Sequence, residues 1–166
     1  MSADLPPAVA PASLIKAHAS EGFRPVPLTV TSVGHLYAAG TLNDDPVDIL
    51  LDSGAGATVA DRDWVLRKGL VTRPLGEKGA GAGATDIDVA EIEGAQLWIA
   101  DVALDGIKVL AIDFAHISEG LKRKGVAPPQ VVLGANVLHG WRAVIDYGTT
   151  TLWLADRADD NVRRLS

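Results

Sequence analysis

Apolar residues in this chain come in short runs that end on glycine, proline, asparagine or aspartate, a rhythm that restricts the chain to a fold built mainly of short strands. Val26, Leu28 and Val30 alternate with Pro27, Thr29 and Thr31, the period of two required by a half-buried strand. Leu36 to Leu42 reads as a second strand. Asn43-Asp44-Asp45-Pro46 has turn chemistry, and Val47 to Leu51 is an apolar run that stops at Asp52. Ile87 and Val89 alternate with acidic residues in a further strand. Gln96 to Leu104 and Ile107 to Asp113 flank Asp105-Gly106, a dipeptide suited to a type I′ hairpin because both central residues need positive φ. Val131 to Leu133 is an apolar triplet ahead of Gly134. Ala143 to Tyr147, a turn at Gly148 and Thr150 to Leu154 make a closing hairpin.

Helix signals are few. Asp61 precedes a short segment in which Trp64 and Val65 mark the apolar face and Gly69 the stop. A second short helix is expected over Ile117 to Lys124, ended by Gly125, and one or two turns over Asn136 to Arg142. Many strands with little helix indicate a closed or sandwiched β architecture. Residues 1–22, with Pro6, Pro7 and Pro11 and no sustained β pattern, read as a flexible N-terminal segment with at most a helical turn from Ser13 to His18. The folded domain is expected over residues 23–157, with a C-terminal tail at 158–166.

Composition narrows the chemistry. A chain of 166 residues with 48% apolar content can bury a core as one domain. It has no cysteine, which removes disulfides, thiol nucleophiles and metal–thiolate sites. The formal charge is −6, and the basic residues are scattered apart from small clusters at Lys122 to Lys124 and Arg163 to Arg164. That balance disfavours nucleic acid and anionic membranes as partners. No apolar run approaches the roughly 20 residues that span a bilayer. Ala8-Val9-Ala10 has the form of a leader cleavage site, but no basic and apolar regions stand before it. A periplasmic or envelope location is the expectation for a chain whose leader was removed, the cytoplasm otherwise.

The chemistry-bearing candidate is Asp52 in Asp52-Ser53-Gly54-Ala55. A carboxylate on a tight turn directly after a buried strand is held rigidly at the edge of the core. Ser53 can turn its hydroxyl to loop backbone groups, Gly54 permits close backbone approach, and Ala55 leaves space for a substrate. Taken alone, Asp-Ser-Gly is a turn. Three features in order add weight: the alternation Gly79-Ala80-Gly81-Ala82-Gly83, suited to the tip of a hairpin that folds over a bound peptide; Val131-Val132-Leu133-Gly134, able to support the Asp52 loop; and Ile145-Asp146-Tyr147 before the last hairpin.

Other sites read weakly. Asp146 also ends an apolar strand and is the tempting second carboxylate within one chain. The pairs Asp61/Asp63, Asp86/Asp88 and Asp159/Asp160 lack the loop of a calcium site, and His18, His35, His116 and His139 are too widely spaced for metal ligation. A Gly-X-Ser-X-Gly elbow is absent, and the Gly-Ala run has no following Lys-Ser or Lys-Thr to cradle phosphate. Trp64, Trp98, Trp141 and Trp153 are expected in or at the rim of the core.

Over roughly residues 25–155 the chain resembles the bacterial single-domain retropepsin-like aspartic proteases, relatives of the retroviral proteases and of each pepsin lobe. The resemblance rests on Val47 to Ala55, residues 79–83, Val132-Leu133-Gly134 and Ile145-Asp146-Tyr147. The family commonly has Thr where Ser53 stands, so the hydroxyl is kept and a methyl lost. The resemblance implies an all-β acid-protease fold, a closed β-barrel with one to three short helices. It further implies an aspartic endopeptidase acting on peptide or protein substrates, with Asp52 catalytic and Ser53, Gly54 and Ala55 as its loop. In this reading residues 79–83 form a flap, and Val132, Leu133 and Gly134 support the loop. One catalytic Asp per chain implies a homodimer, with no metal and no organic cofactor. A silent peptide-binding or oligomerisation domain of the same fold is the alternative.

Overall fold

The computed structural model describes residues 18–81 and 84–155, and the side chains of these apart from 77–86. Most of the expected N-terminal segment, the turn from Ser13, the C-terminal tail and the hairpin tip at Ala82 and Gly83 lie outside the described residues.

Within the described residues these elements follow in order: β1 (Phe23–Pro27), β2 (Thr29–Val30), β3 (Leu36–Leu42), β4 (Asp45–Leu51), β5 (Val59–Asp61), α1 (Arg62–Arg67), β6 (Thr72–Gly81), β7 (Ala84–Ile92), β8 (Leu97–Ile99), β9 (Val102–Ala103), β10 (Leu110–Ile112), α2 (Ala115–Arg123), β11 (Val131–Leu133), α3 (Ala135–Gly140), β12 (Val144–Asp146) and β13 (Thr151–Ala155). The larger sheet runs β6-β7-β10-β5-β11-β4-β3-β8-β9, with β2 also on β3, and the smaller runs β1-β13-β12.

The expected closed barrel is not found: among the described residues no sheet closes on itself, and the larger one has free ends at β6 and β9. Length and partnership account for this. β9 offers two residues for pairing, and among the described residues β1, β12 and β13 pair only with one another. The fold remains mostly β with few short helices.

Local chemistry explains most elements. Asn43 and Asp44 take φ of 48° and 68°, and Leu42 pairs with Asp45, so the β3–β4 connection is a two-residue turn of the I′ kind. β4 begins at Asp45 and includes Pro46, where β11 is not yet alongside and the missing N–H removes no bond to it. The Asp105-Gly106 hairpin does not form. Its flanks part: β8 turns back onto β9 through Ala100, at φ 49°, while β10 pairs with β7 and β5. Val109 and Ala111 are fully buried there, and their burial outweighs a local turn preference. The alternation at Val26, Leu28 and Val30 likewise splits into β1 and β2, and Val30 is half exposed.

α1 and α2 end where Gly69 and Gly125 take positive φ, as expected. Asp61 sits at the start of α1 in an extended conformation, but its side chain makes no capping bond. Trp64, Trp141 and Trp153 are buried, whereas Trp98 is 42% exposed.

The centre of the larger sheet is buried on both faces. Ile49, Ala60, Val131 and Leu133 belong to the main core. Leu50 and Val132, alternating with them, join Phe114 in a second cluster against which Tyr37, Ala55, Val59, Ile112 and Ile117 pack. An uninterrupted apolar triplet such as Val131 to Leu133 is what a strand covered on both sides needs. That rigidity is applied where β4 ends and Asp52 begins.

Candidate active site

β11 lies between the two strands that enter and leave the Asp52 loop. It runs parallel to β4, with Val131 opposite Ile49, Val132 opposite Leu50 and Leu133 opposite Leu51. It runs antiparallel to β5, with Val131 opposite Ala60 and Val132 opposite Val59. Residues 52–58 therefore leave and rejoin the sheet on either side of the same strand. The parallel ladder continues into the loop, where Asp52 N–H donates to the Leu133 carbonyl at 3.0 Å. Before it, Gln130 takes both Asp48 backbone groups: its N–H donates to the Asp48 carbonyl at 3.1 Å and its Oε1 accepts from the Asp48 N–H at 2.8 Å.

Within the loop, Asp52 Oδ1 accepts the Gly54 N–H at 2.9 Å, and the Asp52 carbonyl accepts the Ala55 N–H at 3.2 Å. The Ala55 carbonyl accepts the Ala135 N–H at 2.7 Å, tying the loop to the start of α3. Gly134 lets the loop backbone come close. A Cβ there would lie against the Ala57 carbonyl oxygen and 2.8 Å from that of Ala55, so the loop leaves room for hydrogen alone. Asp52, Ser53 and Gly54 are exposed at the edge of this assembly.

Beneath the loop lies Thr58, fully buried, which the sequence reading missed. Its hydroxyl accepts the Gly134 N–H at 3.1 Å and donates to Asn136 Oδ1 at 2.8 Å. Without it the buried Gly134 N–H would lose its partner, a loss of about 1–3 kcal/mol. The one available signal was a hydroxyl placed directly before the apolar pair Val59 and Ala60, where a methyl-bearing core residue would otherwise stand.

Ser53 behaves differently from expectation. Among the described residues its hydroxyl makes no hydrogen bond to the loop backbone; Ser53 instead lines a cavity of about 280 Å³ with Ala135, Leu138, His139, Ala143 and Ile145. The cavity walls are mainly apolar, from α3, the residue before β12, and β12 itself.

Gly79, Ala80 and Gly81 lie in β6, the outer arm of the β6–β7 hairpin, with Gly79 opposite Ile87 and Gly81 opposite Ala84. Register shifts interrupt the ladder between Pro74 and Lys78 and again between Gly79 and Gly81. β7 is joined to the site region through β10, which pairs with β5 at the exit of the loop.

Asp146 is tied into its own turn. Its Oδ1 accepts the N–H groups of Gly148 at 2.8 Å and Thr149 at 3.2 Å, and its Oδ2 accepts the Thr149 hydroxyl at 2.8 Å. That hydroxyl is the main reason its carboxyl is held below the ordinary carboxylate range, against the opposing effect of burial. Its role is to fold the four-residue connection between β12 and β13. Among the described residues no three His, Cys, Asp or Glu side chains gather as a metal centre would need, and no helix is long and apolar enough to cross a membrane.

The family model for aspartyl proteases matches residues 38–137, more than half of the chain and inclusive of the Asp52 loop, the β6–β7 hairpin and β11. No curated protein sequence matches the chain. Among solved structures, the retroviral protease-like domain of Ddi1 from Leishmania major aligns with a TM-score of 0.50 at 16% identity, covering 72% of this chain and 87% of that one. A retropepsin-like aspartic protease from Rickettsia conorii aligns with a TM-score of 0.50 at 15% identity, covering 80% of this chain and 90% of that one. With the strand order and the loop geometry above, the chain belongs to the aspartyl protease family and has the retropepsin-like fold.

Proposed function

We propose that the protein is an aspartic endopeptidase whose active site forms between two copies of the chain, each contributing Asp52. The observation that carries this is the Asp52 loop itself. Its backbone is fixed by Leu133, Gly134 and Ala135 from a different part of the chain, while among the described residues the carboxylate accepts one hydrogen bond, from Gly54, and is exposed. A group held so firmly by its surroundings and left so open is arranged to meet something outside its own fold.

In this reading two Asp52 loops come together. Two carboxyls about 3 Å apart cannot both ionise, so the pair holds one proton. The ionised partner removes a proton from water as the oxygen attacks the peptide carbonyl, and the protonated partner donates to the carbonyl oxygen. The peptide lies extended between the Asp52 loops and the β6–β7 hairpins, with Gly79, Ala80, Gly81, Ala82 and Gly83 serving as the flap. Val132, Leu133 and Gly134 keep each loop in place. The chemistry uses neither metal nor organic cofactor.

The test is cleavage of a denatured protein substrate at acidic to mildly acidic pH. Wild type is expected to cleave, and an aspartic-protease transition-state mimic or Asp52→Asn to abolish cleavage. Equal residual cleavage by wild type and Asp52→Asn would refute the proposal. Sizing in solution addresses the pair directly: a strict monomer at high concentration leaves one carboxylate per site and makes the domain a peptide-binding or oligomerisation module.

A further inference from the structure

We propose that Thr58 and Asn136 are positioning residues, a part-buried side-chain tie that sets where the Asp52 loop sits; this rests on the peptidase reading for its catalytic consequence and on geometry alone for its structural one. Among the described residues Thr58 is the buried residue with a polar side chain, the tryptophans apart. A hydroxyl in that position is retained at the expense of desolvation, which is offset only when both its donor and its acceptor capacity are used. Both are: the oxygen accepts from Gly134 N–H and the proton goes to Asn136 Oδ1.

The three residues so joined belong to three separate pieces of the site. Thr58 ends the loop that Asp52 begins, Gly134 follows the strand that Asp52 hydrogen-bonds, and Asn136 lies in α3, whose first residue, Ala135, donates to Ala55. Thr58 is also held from its other side, since its carbonyl accepts the Leu110 N–H at 3.1 Å. One hydroxyl thus fixes the exit of the loop to the element that holds its middle. Backbone bonds alone fix the loop along the sheet; the Thr58–Asn136 bond fixes the height of α3 against it. A shift there moves Ala135, then Ala55, then the turn that presents the Asp52 carboxylate.

Thr58→Val keeps the shape and removes both hydrogen bonds, and Thr58→Ser keeps both. The first measurement is amide exchange, which needs no activity. In Thr58→Val the amides of Asp52 and Ala135 are expected to exchange at least about tenfold faster while those of the β3–β4 ladder keep their rates, because the opening is local. The second is turnover of a denatured, fluorescently labelled protein substrate. Here kcat is expected to fall about tenfold to a hundredfold with KM within about twofold, the pattern of a misplaced reacting group. Thr58→Ser restores both. Should Thr58→Val fold poorly, Asn136→Leu, at an exposed position, removes one of the two bonds and is expected to move both readouts less, in the same direction. Wild-type exchange and turnover in both Thr58→Val and Asn136→Leu overturn the proposal, as does faster exchange spread evenly over the β3–β4 ladder. A wild type that cleaves nothing removes the peptidase reading, and the exchange pattern still decides whether the tie holds the loop.

Discussion

Two aspartates in this chain stand in nearly the same local sequence and do opposite things. Asp52 directly follows β4 and is followed two residues later by Gly54; Asp146 is the last residue of β12 and is followed two residues later by Gly148. Each carboxylate accepts the N–H of that glycine, at 2.9 Å and 2.8 Å. Beyond that bond they diverge. Asp146 also takes the Thr149 N–H and hydroxyl, so its acceptor capacity goes into folding its own turn. Around Asp52 the loop is held by Leu133, Gly134, Ala135 and Thr58, and the carboxylate is spared that work. A carboxylate consumed by its own turn is structural; one whose turn is held by others is available for chemistry.

The sharpest way to break this comparison is to neutralise each carboxylate in turn. Asp52→Asn is expected to lower kcat/KM on a denatured protein substrate by at least about a thousandfold with an unchanged melting temperature, as removal of a reacting group does. Asp146→Asn is expected to leave kcat/KM within about twofold and to lower Tm by a few degrees at most, since its bonds lie in a part-buried turn at the surface. Reversal of the two results would assign the chemistry to the wrong strand end.

The next effect in size compares the two ends of α3. Gly134 stands where an added Cβ would collide with the Ala55 and Ala57 carbonyls, whereas at Gly140 such an atom meets nothing within 4 Å. Gly134→Ala is therefore expected to lose about 3 kcal/mol, by overpacking against backbone that cannot yield. Gly140→Ala should stay within about 0.5 kcal/mol of wild type. Urea unfolding midpoints measure both. If Gly134→Ala is as stable as Gly140→Ala, the loop is not clamped from outside and the contrast between the two aspartates loses its structural basis.

Much of this site was legible from residues alone, and what escaped has a common cause. Val47 to Leu51 running into Asp52, the apolar triplet ending at Gly134, and the turn at Gly148 are local patterns, and each marks the stated element. The position of β11 between β4 and β5 is a pairing across some seventy to eighty residues of sequence, which no local period encodes. Thr58 was invisible for the same reason, because its partners Gly134 and Asn136 come from the far end of the domain. Asp105-Gly106 failed in the opposite direction. Its turn preference is local and real, with Gly106 at φ 72°, yet burial of Val109 and Ala111 sends the following strand to β5 and β7. Closure of the sheet was likewise inferred from a family pattern, while the sheet ends at a two-residue strand.

The smallest expected effect tests the self-contained half of the comparison through pH. The Thr149 hydroxyl is the leading cause that holds the Asp146 carboxyl below its ordinary range. A carboxyl with a lower pKa folded than unfolded adds stability above the unfolded value, about 3.9, and that contribution disappears as pH falls through the folded value. Thr149→Val removes the hydroxyl and leaves the two backbone N–H donors. The carboxyl of Asp146, followed by carbon NMR, is then expected to titrate closer to the ordinary value than in wild type. Wild type should be the more stable at about pH 6, and the gap should start to narrow below about pH 4, as the unfolded chain takes up its proton, and close once the carboxyl is protonated in the folded chain too. The effect is small because the group is only partly buried and solvent screens its charge. A gap that persists unchanged into acid would mean that Thr149 stabilises the turn without acting through the charge of Asp146, and Asp146 would then have acceptor capacity to spare, as Asp52 has.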